Sequence, residues 1–147
     1  MARRTRRRMA LRACLAVAIL AAVTACGGAS SGVKGAASGT ARVNVPGADR
    51  FAPFSTLVSP GSVVTFHNGD ADRHTVVSVP GDPVAWKLTL QPGQSLTVAV
   101  NLAGTHRYYC SIHARFDPAT GQIAANPNAD HPDEPMEGIV TVSTATT

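Results

Sequence analysis

The chain has 147 residues, 44% apolar and 15% charged, with 13 Gly, 10 Pro and a formal charge of +4. That length suits one domain, and four Phe, two Tyr and one Trp are too few to stack on nucleic-acid bases. Six of the 13 basic residues (Arg3, Arg4, Arg6, Arg7, Arg8, Arg12) lie in the first twelve positions, whereas beyond residue 25 seven basic side chains meet nine acidic ones, a net of −2. The positive charge belongs to a leader, and no nucleic-acid partner is expected.

Residues 1–25 read as a signal peptide. The uncharged stretch 13–25 is thirteen residues long, short of the roughly 20 needed to cross a hydrocarbon core but suited to a signal h-region. It ends in Val23-Thr24-Ala25-Cys26, which resembles a bacterial lipobox. Cys26 is thus the expected lipidation site, and two acyl chains suffice for stable anchoring. The expected location is the outer face of the cell membrane. An Arg-rich start also loosely resembles a twin-arginine signal. Residues 26–39 form a tether: 11 of the 13 residues from 27 to 39 are Gly, Ala or Ser. Such a coil reaches about 20 Å.

Residues 40–147 remain as the folded domain, large enough for one modest core without disulfides. Of three cysteines, Cys14 lies in the leader and Cys26 at the lipid site, so Cys110 is left alone. An unpaired thiol in an exported domain calls for an explanation. Met136 is likewise the sole methionine beyond the leader.

The domain reads as all-β. Short runs with strand character occur at 41–45, 55–59, 62–67, 74–79, 84–90, 95–100, 105–110 and 139–143. Ser95–Val100 alternates cleanly, with Leu96, Val98 and Val100 on one face. Turn signals separate the runs, among them Pro60-Gly61, Pro80-Gly81, Pro92-Gly93 and Ala103-Gly104. About seven or eight strands so spaced predict a sandwich or barrel. Residues 114–135 break the rhythm: 22 residues with four Pro, two Asn and no strand pattern. A loop that long in a compact domain is functional or disordered as a rule. Asp117-Pro118-Ala119-Thr120-Gly121 within it reads as a tight turn, so an ordered flap is expected.

Chemistry concentrates at strand ends. Cys110 and His113 stand three positions apart after one strand, His74 opens an earlier one, and Met136 precedes the last. One thiolate, two imidazoles and one thioether are the donors of a blue-copper electron-transfer site: soft thiolate and neutral imidazole suit both copper oxidation states, and a weak thioether lets the geometry change little between them. Zinc fits less well, since thioether is a poor ligand for it. A Cys110–His113 nucleophile pair lacks any visible orienting group or oxyanion hole. His67 and His106 lie on strands without partners and read as structural or surface groups. His131, between Asp130 and Pro132, reads as solvated, with an extra-ligand role as the alternative, and Trp86 as core or rim.

Five stretches carry a resemblance: Phe51-Ala52-Pro53, residues 60–68, His74-Thr75-Val76, residues 104–113, and residues 136–142. The chain resembles small cupredoxins of the plastocyanin and amicyanin type. The resemblance implies a two-sheet Greek-key β-sandwich in which His74, Cys110 and His113 bind one copper ion trigonally and Met136 is axial. It implies a one-electron carrier, not an enzyme, with a redox protein as partner and no small-molecule substrate. Copper storage, delivery or sensing with the same ligands is the alternative. Two departures stand out. Thr75 replaces the Asn common after the first His, and 22 residues separate His113 from Met136 where the family has only a few. In the family, electrons are thought to leave through the exposed edge of the second His. Residues 114–135 carry a net charge of −3, so the segment is expected to reshape that face and select a partner with a basic docking surface.

Overall fold

The structure, a computed structural model, describes residues 39–144. The expected signal peptide, Cys26 and the tether up to residue 38 lie outside the described residues. Ten strands and no helix occur among them: β1 Thr40–Val45, β2 Ser55–Val58, β3 Ser62–Asn68, β4 His74–Ser78, β5 Lys87–Leu90, β6 Ser95–Val100, β7 Gly104–Tyr109, β8 Ala114–Asp117, β9 Gln122–Ala125 and β10 Glu137–Val142. One sheet has the order β1-β3-β6, a second β2-β10-β7-β4-β5, and β8 and β9 form a separate hairpin. β1 with β3 and β2 with β10 are parallel; the other pairs are antiparallel.

Period-2 patterning produces the core. Along β3, Ser62, Val64, Phe66 and Asn68 are buried while the residues between them are half-covered. Val43, Val45, Val64 and Phe66 from the first sheet meet Val76, Leu90, Tyr108, Val140 and Val142 from the second. Each large side chain so buried contributes about 1.5–3 kcal/mol. Trp86 lies in this core, its ring 6.0 Å from Phe66 and 5.9 Å from Tyr108. Tyr108 lies across Gly138, its register partner, and a Cβ at Gly138 would enter the phenol ring. That contact is why this strand position needs glycine.

Two strands, β8 and β9, go beyond the expectation for 114–135, which showed no strand pattern. Each has four residues and only one buried side chain, Ala114 or Ile123, and Phe116 and Ile123 are the sole residues of strand preference in them. The turn between them is the expected one. Asp117 accepts at its carbonyl from Gly121 N–H (2.8 Å) and at its carboxylate from Ala119 N–H (2.9 Å) and the Thr120 hydroxyl (3.0 Å). The hairpin closes on itself, Ala114 opposite Ala125, so the chain returns to its starting point. Asn126 N–H then donates to the His113 carbonyl at 2.9 Å. An insertion that comes back to its origin leaves the sandwich frame unchanged.

Candidate metal centre

Strand register assembles the site. β7 and β10 pair Tyr109 with Glu137, so the next residue outward on each side, Cys110 and Met136, must be neighbours; Cys110 N–H donates to the Met136 carbonyl at 3.0 Å. β4 and β7 pair Val77 with Tyr109, a register that carries Val76 and Thr75 alongside Cys110 and Ser111 and puts His74 one residue further out. A tight turn after Cys110 brings His113 back, with the His113 and Ala114 N–H groups donating to the Cys110 carbonyl at 3.1 and 2.8 Å.

The three expected ligands meet. Cys110 Sγ lies 3.4 Å from His113 Nδ1 and 3.9 Å from His74 Nδ1, and the rings of the two histidines are 4.9 Å apart. All three side chains are buried, Cys110 and His74 completely. Metal–donor bonds of about 2.0–2.3 Å at trigonal angles separate donors by about 3.5–4.0 Å; the observed S···N spacings match. Met136 is 1% exposed at the same end of the sandwich. The long insertion therefore does not remove Met136 from Cys110. His131 is exposed in the inserted segment and is not part of this cluster.

Sequence reasoning did not find the groups around the donors. His74 Nε2–H donates to Asp70 Oδ2 at 3.1 Å, and the Asp49 carboxylate lies beside His113, its Oδ1 3.3 Å from Nε2. The Asp70 carboxylate fixes the His74 tautomer that leaves Nδ1 free for a metal, and Asp49 sets a negative charge behind the outer nitrogen of His113. The pair Asp70/His74 could have been suspected from its spacing of four; Asp49 carries no such signal. Thr75 does more than replace Asn. Its N–H donates to Cys110 Sγ at 3.3 Å and its hydroxyl accepts from Ser111 N–H at 2.8 Å, binding the two loops together. Asn126 also braces the ligand loop, its amide donating to the Ile112 carbonyl at 2.9 Å.

These contacts set the electrostatics. Burial pushes the Cys110 thiol up, but hydrogen bonds from His74, Thr75 and the Ile112 N–H outweigh it and bring it down to about 6. Burial opposes charge on His74 too, yet Cys110 and Asp70 hold its imidazole above the usual histidine value. Without a metal the site thus favours thiolate beside imidazolium. That thiolate is the nucleophilic, metal-binding form of the residue. His67 bonds Ser95 Oγ at 2.9 Å. His106 is not without a partner: Asp82 and the Leu102 carbonyl hold both of its nitrogens, which makes it structural.

No protein-family profile matches the chain. A plastocyanin from Vicia faba is 30% identical over 87 residues, covering 52% of this chain and 87% of that one. The chain belongs to the plastocyanin family of small blue-copper cupredoxins. Over an equal stretch, the chloroplastic plastocyanin of Pisum sativum is also 30% identical, and this chain spans 51% of its length. Among solved structures, amicyanin from Paracoccus versutus has a TM-score of 0.52 at 20% identity, over 71% of this chain and 81% of that one. A purple cupredoxin from Nitrosopumilus maritimus has a TM-score of 0.50 at 23% identity, over 70% and 99%. These likenesses show the expected sandwich fold. In this cupredoxin the donors and their spacing fit one copper ion. One implied feature differs: His113 does not present an open ring edge, since it is 7% exposed with its outer nitrogen on Asp49.

Proposed function

We propose that this cupredoxin carries single electrons between protein partners, with His74, Cys110 and His113 as trigonal copper ligands and Met136 as the weak axial one. The observation that carries the reading is the buried convergence of one thiol and two imidazoles, whose donor atoms lie within 4.8 Å of one another and whose Nδ1 atoms are 3.4 and 3.9 Å from the sulfur. When bound there, copper supplies the Cu(II)/Cu(I) couple and the protein supplies a fixed donor set. The two carboxylates orient the rings, Thr75 and Ile112 N–H groups stabilise the thiolate, and burial excludes water. Full burial of Cys110 also argues against a nucleophile, which a substrate must reach.

The test is spectroscopic. The full-length chain given Cu(II) should turn intensely coloured through thiolate-to-copper charge transfer and show a narrow copper hyperfine splitting. Cys110→Ser should abolish the colour. A wild type as pale as an ordinary imidazole complex overturns the carrier reading, and a colourless site that holds only Cu(I) favours storage or delivery.

Location and partner are part of the proposal. The leader pattern supports export and anchoring through Cys26; labelled fatty acid should enter the full-length chain and be lost in Cys26→Ala. The net −3 of residues 114–135 supports a partner with a basic docking face. Neutralising Asp130, Asp133 and Glu134 together should slow electron exchange with a cationic partner at low salt and have no effect at high salt, because charge acts on association and salt screens it.

A further inference from the structure

We infer that Asp49 is a positioning residue for the second histidine: its carboxylate holds the His113 ring from outside, closes that edge to solvent and favours the oxidised metal. The inference rests on the copper reading above, and it concerns a residue far from the ligand motifs.

Several observations converge on Asp49. Its side chain is 9% exposed and meets His113 Nε2 at 3.3 Å. It is delivered by a loop fixed at both ends. Asn44 and Ala52 exchange two backbone hydrogen bonds of 2.8 Å, and Phe51 packs in the core with its ring 4.9 Å from Tyr108. Between those anchors Gly47, Ala48 and Asp49 all adopt positive φ, at 109°, 56° and 45°. Left-handed backbone is unfavourable for alanine in particular. Such strain persists only where the surrounding structure enforces it, and here it aims one carboxylate at one imidazole.

The neighbouring charge points the same way. Asp49, Asp70 and His74 have ligand atoms within 4.8 Å of one another. Two carboxylates so close repel unless a positive centre lies between or behind them. A cation held by both Nδ1 atoms provides that centre, with Asp70 bonded to the His74 ring behind it and Asp49 3.3 Å from the outer nitrogen of His113. A carboxylate behind a ligating imidazole raises the basicity of that ligand, and loss of such a partner costs about 10–100-fold in metal affinity. The higher metal charge benefits more, so Asp49 biases the couple toward Cu(II). The exchange itself remains one electron, with no bond made or broken at Asp49.

Three forms of the full-length chain test this: wild type, Asp49→Asn and Asp49→Ala. Asn tolerates left-handed backbone as Asp does and keeps an accepting oxygen, so it removes the charge alone. Loaded with Zn(II), which is redox-inert, the wild type should give a slowly exchanging His113 Nε2–H signal in proton–nitrogen NMR. Exchange should be at least tenfold faster in Asp49→Ala and close to wild type in Asp49→Asn. Loaded with copper, both variants should have a raised reduction potential, 59 mV for each tenfold loss of Cu(II) affinity relative to Cu(I). Equal exchange in wild type and Asp49→Ala, or a potential that does not rise in Asp49→Asn, overturns the proposal. If the wild type shows no thiolate–copper band, the carrier reading fails instead, and the zinc measurement still decides whether Asp49 holds the ring.

Discussion

His106 and His113 are both buried histidines paired with aspartates, at opposite ends of one stretch of chain, yet only one faces the metal centre. Within β7, His106 Nδ1 meets Asp82 at 2.9 Å and Nε2 meets the Leu102 carbonyl at 2.9 Å. Both partners are acceptors, which favours the imidazolium, and neither nitrogen is left facing a metal. Beyond the end of β7, Asp49 takes one nitrogen of His113 and the other faces Cys110 Sγ. A carboxylate beside a histidine therefore does not mark a ligand. What faces the second nitrogen decides between a structural cation and a metal donor.

Removing each ring should separate the two roles most sharply. His113→Ala should weaken Zn(II) binding by about 100-fold or more, since about 10–16 kcal/mol of binding is shared among three or four ligands. His106→Ala should leave that affinity unchanged in a metal titration. It should instead cost the metal-free chain about 3 kcal/mol in urea unfolding, because Asp82 stays behind as a buried, unpaired charge. Loss of metal affinity in His106→Ala would erase the distinction.

The two sites should also respond to pH with opposite sign. Burial lowers the His106 value, but the Leu102 carbonyl and Asp82 outweigh it and raise it above the usual 6.5. Its contribution is thus fully present below about 6.5 and lost as pH rises through the folded value. Unfolding of the metal-free chain followed on either side of that window should show the loss, and Asp82→Asn should remove it. Metal uptake runs the other way. With the Cys110 thiol at about 6, Zn(II) affinity should fall as pH drops through that value, as protons compete for the donors.

Smaller effects lie between the two ends. Asn126→Ala removes the amide that donates to the Ile112 carbonyl and should cost about 1 kcal/mol of stability. It should also broaden the copper spectrum if the inserted hairpin steadies the ligand turn. Tyr108, near the end of β7, has a buried hydroxyl without a hydrogen-bond partner among the described residues. Tyr108→Phe should therefore be neutral or stabilising, by about 1 kcal/mol at most, in the same unfolding assay.

The eight predicted strand runs correspond to β1–β7 and β10, because each run holds more than one residue of strand preference between turn signals, even where the strand itself is short, as in β2 and β5. β8 and β9 hold one residue of strand preference each, Phe116 and Ile123, and their pairing depends on the turn at Asp117 and on Asn126 reaching back to His113, so no strand pattern shows in the residues. Of the donors, Cys110 and His113 were legible because a three-residue spacing on one turn is a local property. His74 and Met136 were legible through the strands they begin or precede. Asp49 was invisible: it lies 64 positions from His113 in the sequence, and nothing about an aspartate after Gly47-Ala48 marks a partner.

The sequence by itself determined the all-β architecture, the donor types and the surplus of acid on the inserted segment, since these follow from periodicity, residue chemistry and composition. Only the tertiary structure decided which atoms face each other. Register between β7 and β10 set Met136 beside Cys110 across a 22-residue insertion, and the fold of the β1–β2 loop put Asp49 on His113 while leaving His106 to Asp82. The physical reason is that a histidine's role depends on the partners of both its nitrogens. Those partners come from separate loops, and chain packing alone brings them within hydrogen-bond range.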